Sequence, residues 1–440
     1  MNVSEVAKRI AFSKAYEFLD RNPEQNFLKL VDWLEKLDKN GFVASQLPTI
    51  KKYASDPDNN WYKLALSLWN DVDDEVRKTL FTNFMINGDV LNNSRLEENR
   101  REYECNIPWA VTINLDPAEN ADGSLKDEAL SFDELDSLVE QGKALGVYMY
   151  AFCGSEPLER RDNLIALCNK NSECVFLCLT RGAAIDPEMA HDLLRVRNCI
   201  PVIAVDGFQK DTDAREGEGA FFKAVQAMNL LKKEKALFGI SCCYNGQNCE
   251  IVGSEAFFDT VIDWGAKFAS FSAYMPTGSG TDGEWMLSAE QRAYFHRQLK
   301  AFRKTKSLMT IDHWNDGDFM GGCLAGGRGY VHINAGGDVE PCLYVHYSDS
   351  NIREKTLLQA LQSPFCKSFH EQQPFNANLL RPCPMMDSPE RIVKLVEDAG
   401  AVCTAPASID IRELSGCCRD FARDWKTVAD EMWKESGHTL

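Results

Sequence analysis

The sequence has no apolar run long enough to cross a membrane and no excess of basic residues. Its apolar stretches fall well short of the ~20 residues that a spanning helix needs, so no membrane-spanning segment is expected. Lys and Arg total 48 against 66 Asp and Glu, a net charge of −18. A surface that acidic argues against a nucleic-acid backbone or an anionic membrane as the main partner, because each repels it. The first residues, MNVSEVAKRIAF, lack the apolar core of a secretory signal. There is no internal repeat beyond the rhythm described below and no low-complexity linker. These absences point to a cytoplasmic chain, where thiols stay reduced. Also lacking is any paired C-x2-C spacing, the specific mark of many zinc sites. The 16 cysteines therefore read as free buried thiols or as ligands gathered from distant loops, not as disulfides.

A chain of 440 residues exceeds one ordinary core and suggests two or three domains, or one large α/β domain with additions. Over residues 1–104, KAYEFLDR, NFLKLVDWLEKLDK, NWYKLALSLW and DEVRKTLFTNFMIN carry apolar residues at helical spacing. DPDNN punctuates them with Asp and Asn available as N-caps. From residue 109 short apolar runs alternate with amphipathic helices. Strands are expected at Ala110–Leu115, Val147–Phe152, Val175–Leu179, Pro201–Val205, Phe238–Cys243 and Phe268–Ala273. Helices are expected at 131–145, 157–169, 187–196, 218–233, 254–264 and 288–304. Six β-then-α units predict a parallel sheet with right-handed crossovers, either doubly wound or a partial (β/α) barrel. In both, ligands bind where the strands' C-terminal ends open into loops.

Three groups of residues could carry chemistry. Cys323, Cys342, Cys383 and the pair Cys417/Cys418 lie in loops beside glycine or proline. Such loops can bring thiolates to one centre, an iron–sulfur cluster or zinc, although scattered core cysteines would give the same list. The stretch FCGSEPLERRD ends a strand, turns at glycine and starts a helix with Pro157. Backbone groups of that turn can hold the charged end of a small ligand, and Glu156 is placed to meet a cation. Cys153, Cys178, Cys242 and Cys243 fall at strand ends, where they could line a mouth or be buried, inert thiols. Asp206, Arg181, Tyr274, Asp312, His313, Trp314 and Asp316 are further contacts for a substrate, or members of a structural polar network.

In order, CNIPWAV, LSFDELDSLVEQGKALGVYMYAFCGSEPLERRD, CVFLCLTRGAAID, IAVDGFQKDTDAREGEG, GISCCYN and AYMPTG resemble the core of a radical S-adenosylmethionine (radical SAM) enzyme. NDGDFMGGCLAGGRGYVHINAGGDVEPCLYVHY resembles that superfamily's SPASM-type extension, which holds auxiliary iron–sulfur clusters. The resemblance spans roughly residues 105–425. It implies an α/β fold: a partial (β/α)6 TIM-like barrel over 105–305, an N-terminal helical domain over 1–104 and a SPASM/twitch-like extension over 306–440. It implies that Gly154, Ser155, Glu156 and Pro157 stand in the family's GGEP turn, which binds the amino end of SAM's methionine. It also implies an auxiliary [4Fe–4S] cluster at Cys323, Cys342, Cys383 and Cys417 or Cys418, with zinc as the lesser option.

The chain departs from the family at its defining motif. C-x3-C-x2-C, in the loop after the first strand, holds the cluster that cleaves SAM. Here that loop is PAENADGSLKDEA, and no cysteine stands between Cys105 and Cys153. Its carboxylates (Asp116, Glu119, Asp122, Asp127 and Glu128) make a poor soft-metal site and read as solvated charge. Ser155 replaces the turn's second glycine, and Arg181 stands where relatives usually have asparagine. The leading expectation is a degenerate homologue that has lost radical initiation and acts as a binding or partner protein. Its partner would be a protein or peptide, or an active radical SAM relative. The alternatives are an enzyme acting on a peptide or small molecule by non-radical SAM-binding or auxiliary-cluster redox chemistry, and an active enzyme with ligands recruited from Cys153, Cys178 and Cys243.

Overall fold

A computed structural model describes residues 3–37, 47–90, 93–119, 124–277 and 285–439. Strands β1 (Ala110–Asn114), β2 (Met149–Cys153), β3 (Val175–Thr180), β4 (Cys199–Ala204), β5 (Gly239–Tyr244) and β6 (Phe268–Ala273) pair in sequence order, all parallel. Helices Phe132–Leu145, Arg161–Lys170, Pro187–Val196, Ala220–Lys233, Glu255–Trp264 and Ala289–Phe302 form the crossovers. Their ends follow from local chemistry. Ser131 and Ser288 form capping boxes with Glu134 and Gln291, and Gly146 and Gly265 close two helices in the left-handed region.

The sheet continues beyond these six units. Strand β7 (Met309–Asp312) pairs parallel with β6. Strand β8 (Tyr330–Ile333) pairs parallel with β1, in the register Thr112↔His332, and β9 (Val339–Glu340) runs antiparallel to β8. The nine-stranded order is β9-β8-β1-β2-β3-β4-β5-β6-β7. This is an open, partial TIM-like barrel, and the cysteine-bearing extension supplies its last wall beside β1.

Side-chain alternation gives the sheet two faces. Tyr150 points outward and its hydroxyl donates to Val139 O of the first barrel helix at 3.0 Å. Tyr244 stacks on Phe295 of the last barrel helix, with ring centroids 4.0 Å apart. The opposite set faces the lumen. At the bottom, Met149, Val175 and Ile200 pack with Val72, Val76 and Leu80, so the N-terminal helices close the barrel floor. Those helices are Val3–Arg21, Pro23–Leu37, Leu47–Ala54, Asn60–Asp71, Asp74–Phe81 and Asn93–Tyr103, with a π-helical stretch at Thr82–Val90. Asn59 caps Trp61 N–H at 2.9 Å, and Asp73 caps Glu75 and Val76.

One buried arginine ties the barrel to the extension. Arg292, on the last barrel helix, is fully buried with Asp387, at 2.6 Å. Its other N–H groups donate to Asn315 Oδ1, Trp314 O and Leu380 O. Its guanidinium lies 4.3 Å from the Trp425 ring of the C-terminal helix Arg419–Glu435. Removing one member of a buried pair strands the other's charge. Arg292→Met is expected to lower the urea-unfolding free energy by about 3–5 kcal/mol. Arg292→Met with Asp387→Leu should recover part of that loss.

Candidate functional site at the barrel mouth

The GSEP turn is built where β2 ends. Gly154 has φ +131°, and a Cβ there would lie 2.7 Å from Asp116 Oδ1 and 2.9 Å from Asn114 Oδ1, so no side chain fits. Asp116 fills that space. Its carboxylate accepts the Ser155 N–H and the Ser155 hydroxyl, each at 2.8 Å, and its own N–H donates to Asn114 Oδ1 at 2.9 Å. The turn's N–H and hydroxyl donors at Ser155 thus meet the first residue of the loop itself. Glu156, expected to meet a cation, is hydrogen-bonded within the fold. Its carboxylate accepts the Thr180 hydroxyl at 2.6 Å and the N–H groups of Arg181 and Leu158. Burial raises its pKa above the ordinary carboxylate value despite these bonds. Pro157 opens a 3-10 turn, Pro157–Arg160, that leads into the second barrel helix.

The loop after β1 is tied down at several points. Ala118–Glu119 pairs antiparallel with Leu125–Asp127. Arg160 donates to Leu115 O at 3.2 Å and to Leu130 O at 2.5 Å. Arg353 of the extension donates to Glu128 O at 3.2 Å and to Glu134 Oε1 at 2.7 Å. Glu119 and Glu128 are exposed. Asp122 lies outside the described residues, as does the side chain of Asp127.

Alternation sorts the strand-end cysteines. Cys153 and Cys243 face the lumen and are half-buried, beside Thr112, Asn114, Ser241 and Ser272. Cys178 and Cys242 face the helices and are buried completely, so only two of the four line the barrel. A helix the sequence did not announce, Gln209–Glu216, follows β4. It has a single buried residue, Thr212, and so no apolar period to detect. It brings Arg215 to the buried Asp206 at 2.5 Å and Glu216 to Arg181 at 2.7 Å. Asp206 also accepts the Cys243 N–H at 2.6 Å, and burial raises its pKa. Asp312 is buried and accepts from the Tyr244 hydroxyl at 2.9 Å and from Asn315 at 2.8 Å. Burial, then the neighbouring Asp316, lift its pKa to about 6. Asp316 pairs with Arg303, and the Tyr274 ring lies 6.0 Å from Trp285.

Above the lumen, Cys323, Cys342 and Cys383 line one cavity of about 40 Å3, together with His313, Trp314, Tyr330 and Tyr344. Each sulfur meets backbone donors. Ala325 N–H points at Cys323 Sγ and Met386 N–H at Cys383 Sγ, both at 3.4 Å. The N–H groups of Tyr344 and Val345 and the Tyr330 hydroxyl serve Cys342. Such donors stabilise a thiolate in a site that otherwise disfavours one: burial pushes Cys323 to about 12 and Cys342 to about 11. Asp387, held by Arg292, accepts the Cys383 N–H at 2.9 Å. Cys417 and Cys418 do not join this cavity. Cys417 is exposed, and Cys418 is buried against Met386 Sδ at 3.4 Å. Among the described residues, no three or more His, Cys, Asp or Glu side chains are grouped to hold a metal ion. A single zinc needs its sulfurs packed within ~4 Å of one another; a four-iron cluster spreads its ligands further apart.

No protein-family model matches the chain. Over 253 residues it is 25% identical to the AdoMet-dependent heme synthase of Nitratidesulfovibrio vulgaris, covering 51% of this chain and 68% of that protein. Its fold is similar to the crystal structure of Streptococcus suis SuiB, with TM-score 0.53 and 16% identity over 67% of this chain and 76% of that one. SuiB bound to its precursor peptide SuiA matches with TM-score 0.52 and 15% identity, over 73% of this chain and 87% of that one. The chain shares its fold with these SuiB structures. The nine-stranded sheet and the extension strand beside β1 are the parts of that fold on which the mouth is built. No described helix is long and apolar enough to cross a membrane.

The latch between extension and loop is sensitive to pH. Arg353 first, then the Ser131 N–H and hydroxyl, hold the Glu134 carboxyl at about 2, below its ordinary 4.5. A depressed carboxyl stabilises the fold above its unfolded pKa and loses that contribution as pH falls through the folded value. Amide hydrogen exchange across residues 124–131 is expected to accelerate between pH 4.5 and pH 2, beyond the intrinsic trend. Glu134→Gln should show the faster exchange already at neutral pH.

Proposed function

We propose that this chain is a degenerate radical SAM/SPASM homologue, a binding or partner protein that keeps one auxiliary iron–sulfur cluster and has lost the SAM-cleaving one. The observation that carries the reading is the Asp116 contact with the GSEP turn. The loop that would grip the first cluster offers no thiol. Its leading carboxylate is instead committed to the Ser155 N–H and hydroxyl. A three-thiolate cluster does not fit these residues. The lumen remains lined with small, half-buried polar side chains, which suits binding of a peptide segment or a small polar molecule.

The auxiliary group has a better case. Three thiols share one cavity, and each receives backbone N–H donors, the usual second shell of an iron–sulfur thiolate. Cys323, Cys342 and Cys383 would hold it, and when bound it would supply one-electron redox chemistry or structural bracing. Cys417 and Cys418 do not line that cavity and are not among the proposed ligands.

Two measurements test this reading. After anaerobic reconstitution with iron and sulfide, about four irons per chain are expected. The count should fall by more than half in Cys323→Ala or Cys342→Ala and stay unchanged in Cys417→Ala. About eight irons with reductive cleavage of SAM would overturn the loss of the first cluster; no bound iron would overturn the auxiliary one. Calorimetric titration with SAM should give no saturable heat. If saturable binding appears and is abolished by Ser155→Pro, the turn is a working SAM site.

A further inference from the structure

The layer between the sheet and its second crossover helix holds four thiols that play no part in the barrel mouth or the upper cavity. Cys168 lies in the last turn of that helix, Arg161–Lys170, and Cys174 follows it. Cys178 is in β3 and Cys199 opens β4. In the β3–β4 register Cys199 pairs with Phe176 and Cys178 with Pro201. By alternation both side chains leave the outer face of the sheet, toward the helix. Asn198 holds the backbones at close approach. Its side-chain amide donates to Cys168 O and Asn171 O, each at 3.1 Å, and to Cys174 O at 3.2 Å. Its own carbonyl accepts the Phe176 N–H at 2.8 Å. The thiols of Cys168 and Cys199 are hydrogen-bonded to each other; Cys174 and Cys178 are neighbours of Cys168. Access is unequal as well, since Cys199 is 6% exposed and the other three are fully enclosed. No three of these side chains are grouped to hold a metal ion among the described residues. Two thiols in contact, without a metal, can still give up two electrons and join.

We propose that Cys168 and Cys199 form a reversible disulfide, with Cys199 reacting first and Cys168 resolving. With a small disulfide as oxidant, the Cys199 thiolate attacks one of its sulfurs, forming a mixed disulfide and releasing one thiolate. The Cys168 thiolate then attacks the Cys199 sulfur and expels the second. Two protons and two electrons leave the protein, and the oxidant ends as two thiols. The new bond ties the helix that follows the GSEP turn to the start of β4, so oxidation clamps the support of that turn against the sheet. Burial holds the Cys168 thiol well above its ordinary value, which makes the second step the slow one.

The test exposes the folded full chain to glutathione disulfide, quenches it in acid and unfolds it in guanidinium with N-ethylmaleimide before peptide mapping by mass spectrometry. A link between Cys168 and Cys199 is expected, reversed by dithiothreitol, with alkylation lost at those two positions. Its rate of formation should rise about tenfold from pH 7 to pH 8, with the thiolate fraction. Cys178→Ser should keep the link, and Cys199→Ser should lose it and leave Cys168 alkylated. Full alkylation of Cys168 and Cys199, under exposure that oxidises the exposed Cys417, would overturn the pair. So would a link from Cys168 to Cys174 or Cys178, or glutathione retained on Cys199 with no link. A link that forms only in urea would overturn it too, because contact within the fold is its basis.

Discussion

The Arg292–Asp387 pair is the contact through which barrel and extension become one structure. Both groups are fully buried, so each ion depends on the other and on the surrounding carbonyls for its solvation. That dependence fixes four segments at once: the last barrel helix, the residues after β7, the 380–387 loop and the C-terminal helix. Asp387 passes the constraint on to Cys383 through its backbone N–H. The position of one thiol in the upper cavity is therefore set by an ion pair on the outer side of the sheet.

A second constraint acts at the opposite wall. Gly154 adopts a positive φ with oxygen atoms in the space where a Cβ would stand. Something has to accept the N–H and hydroxyl of Ser155 beside it, water or another group of the chain. Here an intramolecular carboxylate does so, and the loop behind it is fixed by Arg160 and Arg353. The mouth is electrostatically self-contained: Asp206 with Arg215, and Arg181 with Glu216. Among the described residues these charges are paired with one another, and the half-buried lumen below presents hydroxyls and thiols.

Much of the architecture was legible because period and punctuation are local. Phe268–Ala273 and Pro187–Val196 fall where alternation and the Asp-Pro start place them. Other features left no local trace. Gln209–Glu216 is polar nearly throughout, so no apolar face announces it. Strand β8 is four residues long in a glycine-rich segment, and its pairing with β1 spans more than 200 residues of chain. The commitment of Glu156 to Thr180 and of Asp116 to Ser155 depends on strands meeting side by side.

By itself the sequence determined the alternation of strands and helices, the turn at Gly154 and the lack of thiols after β1, since these are properties of neighbouring residues. Only the tertiary structure decided which cysteines meet. Cys323, Cys342 and Cys383 are separated by loops whose closure depends on β8 joining β1 and on Arg292 holding Asp387. Cys417 and Cys418, which follow a glycine, do not line that cavity: Cys417 is exposed and Cys418 is buried against Met386. Ligation requires convergence in space, and spacing along the chain does not encode it.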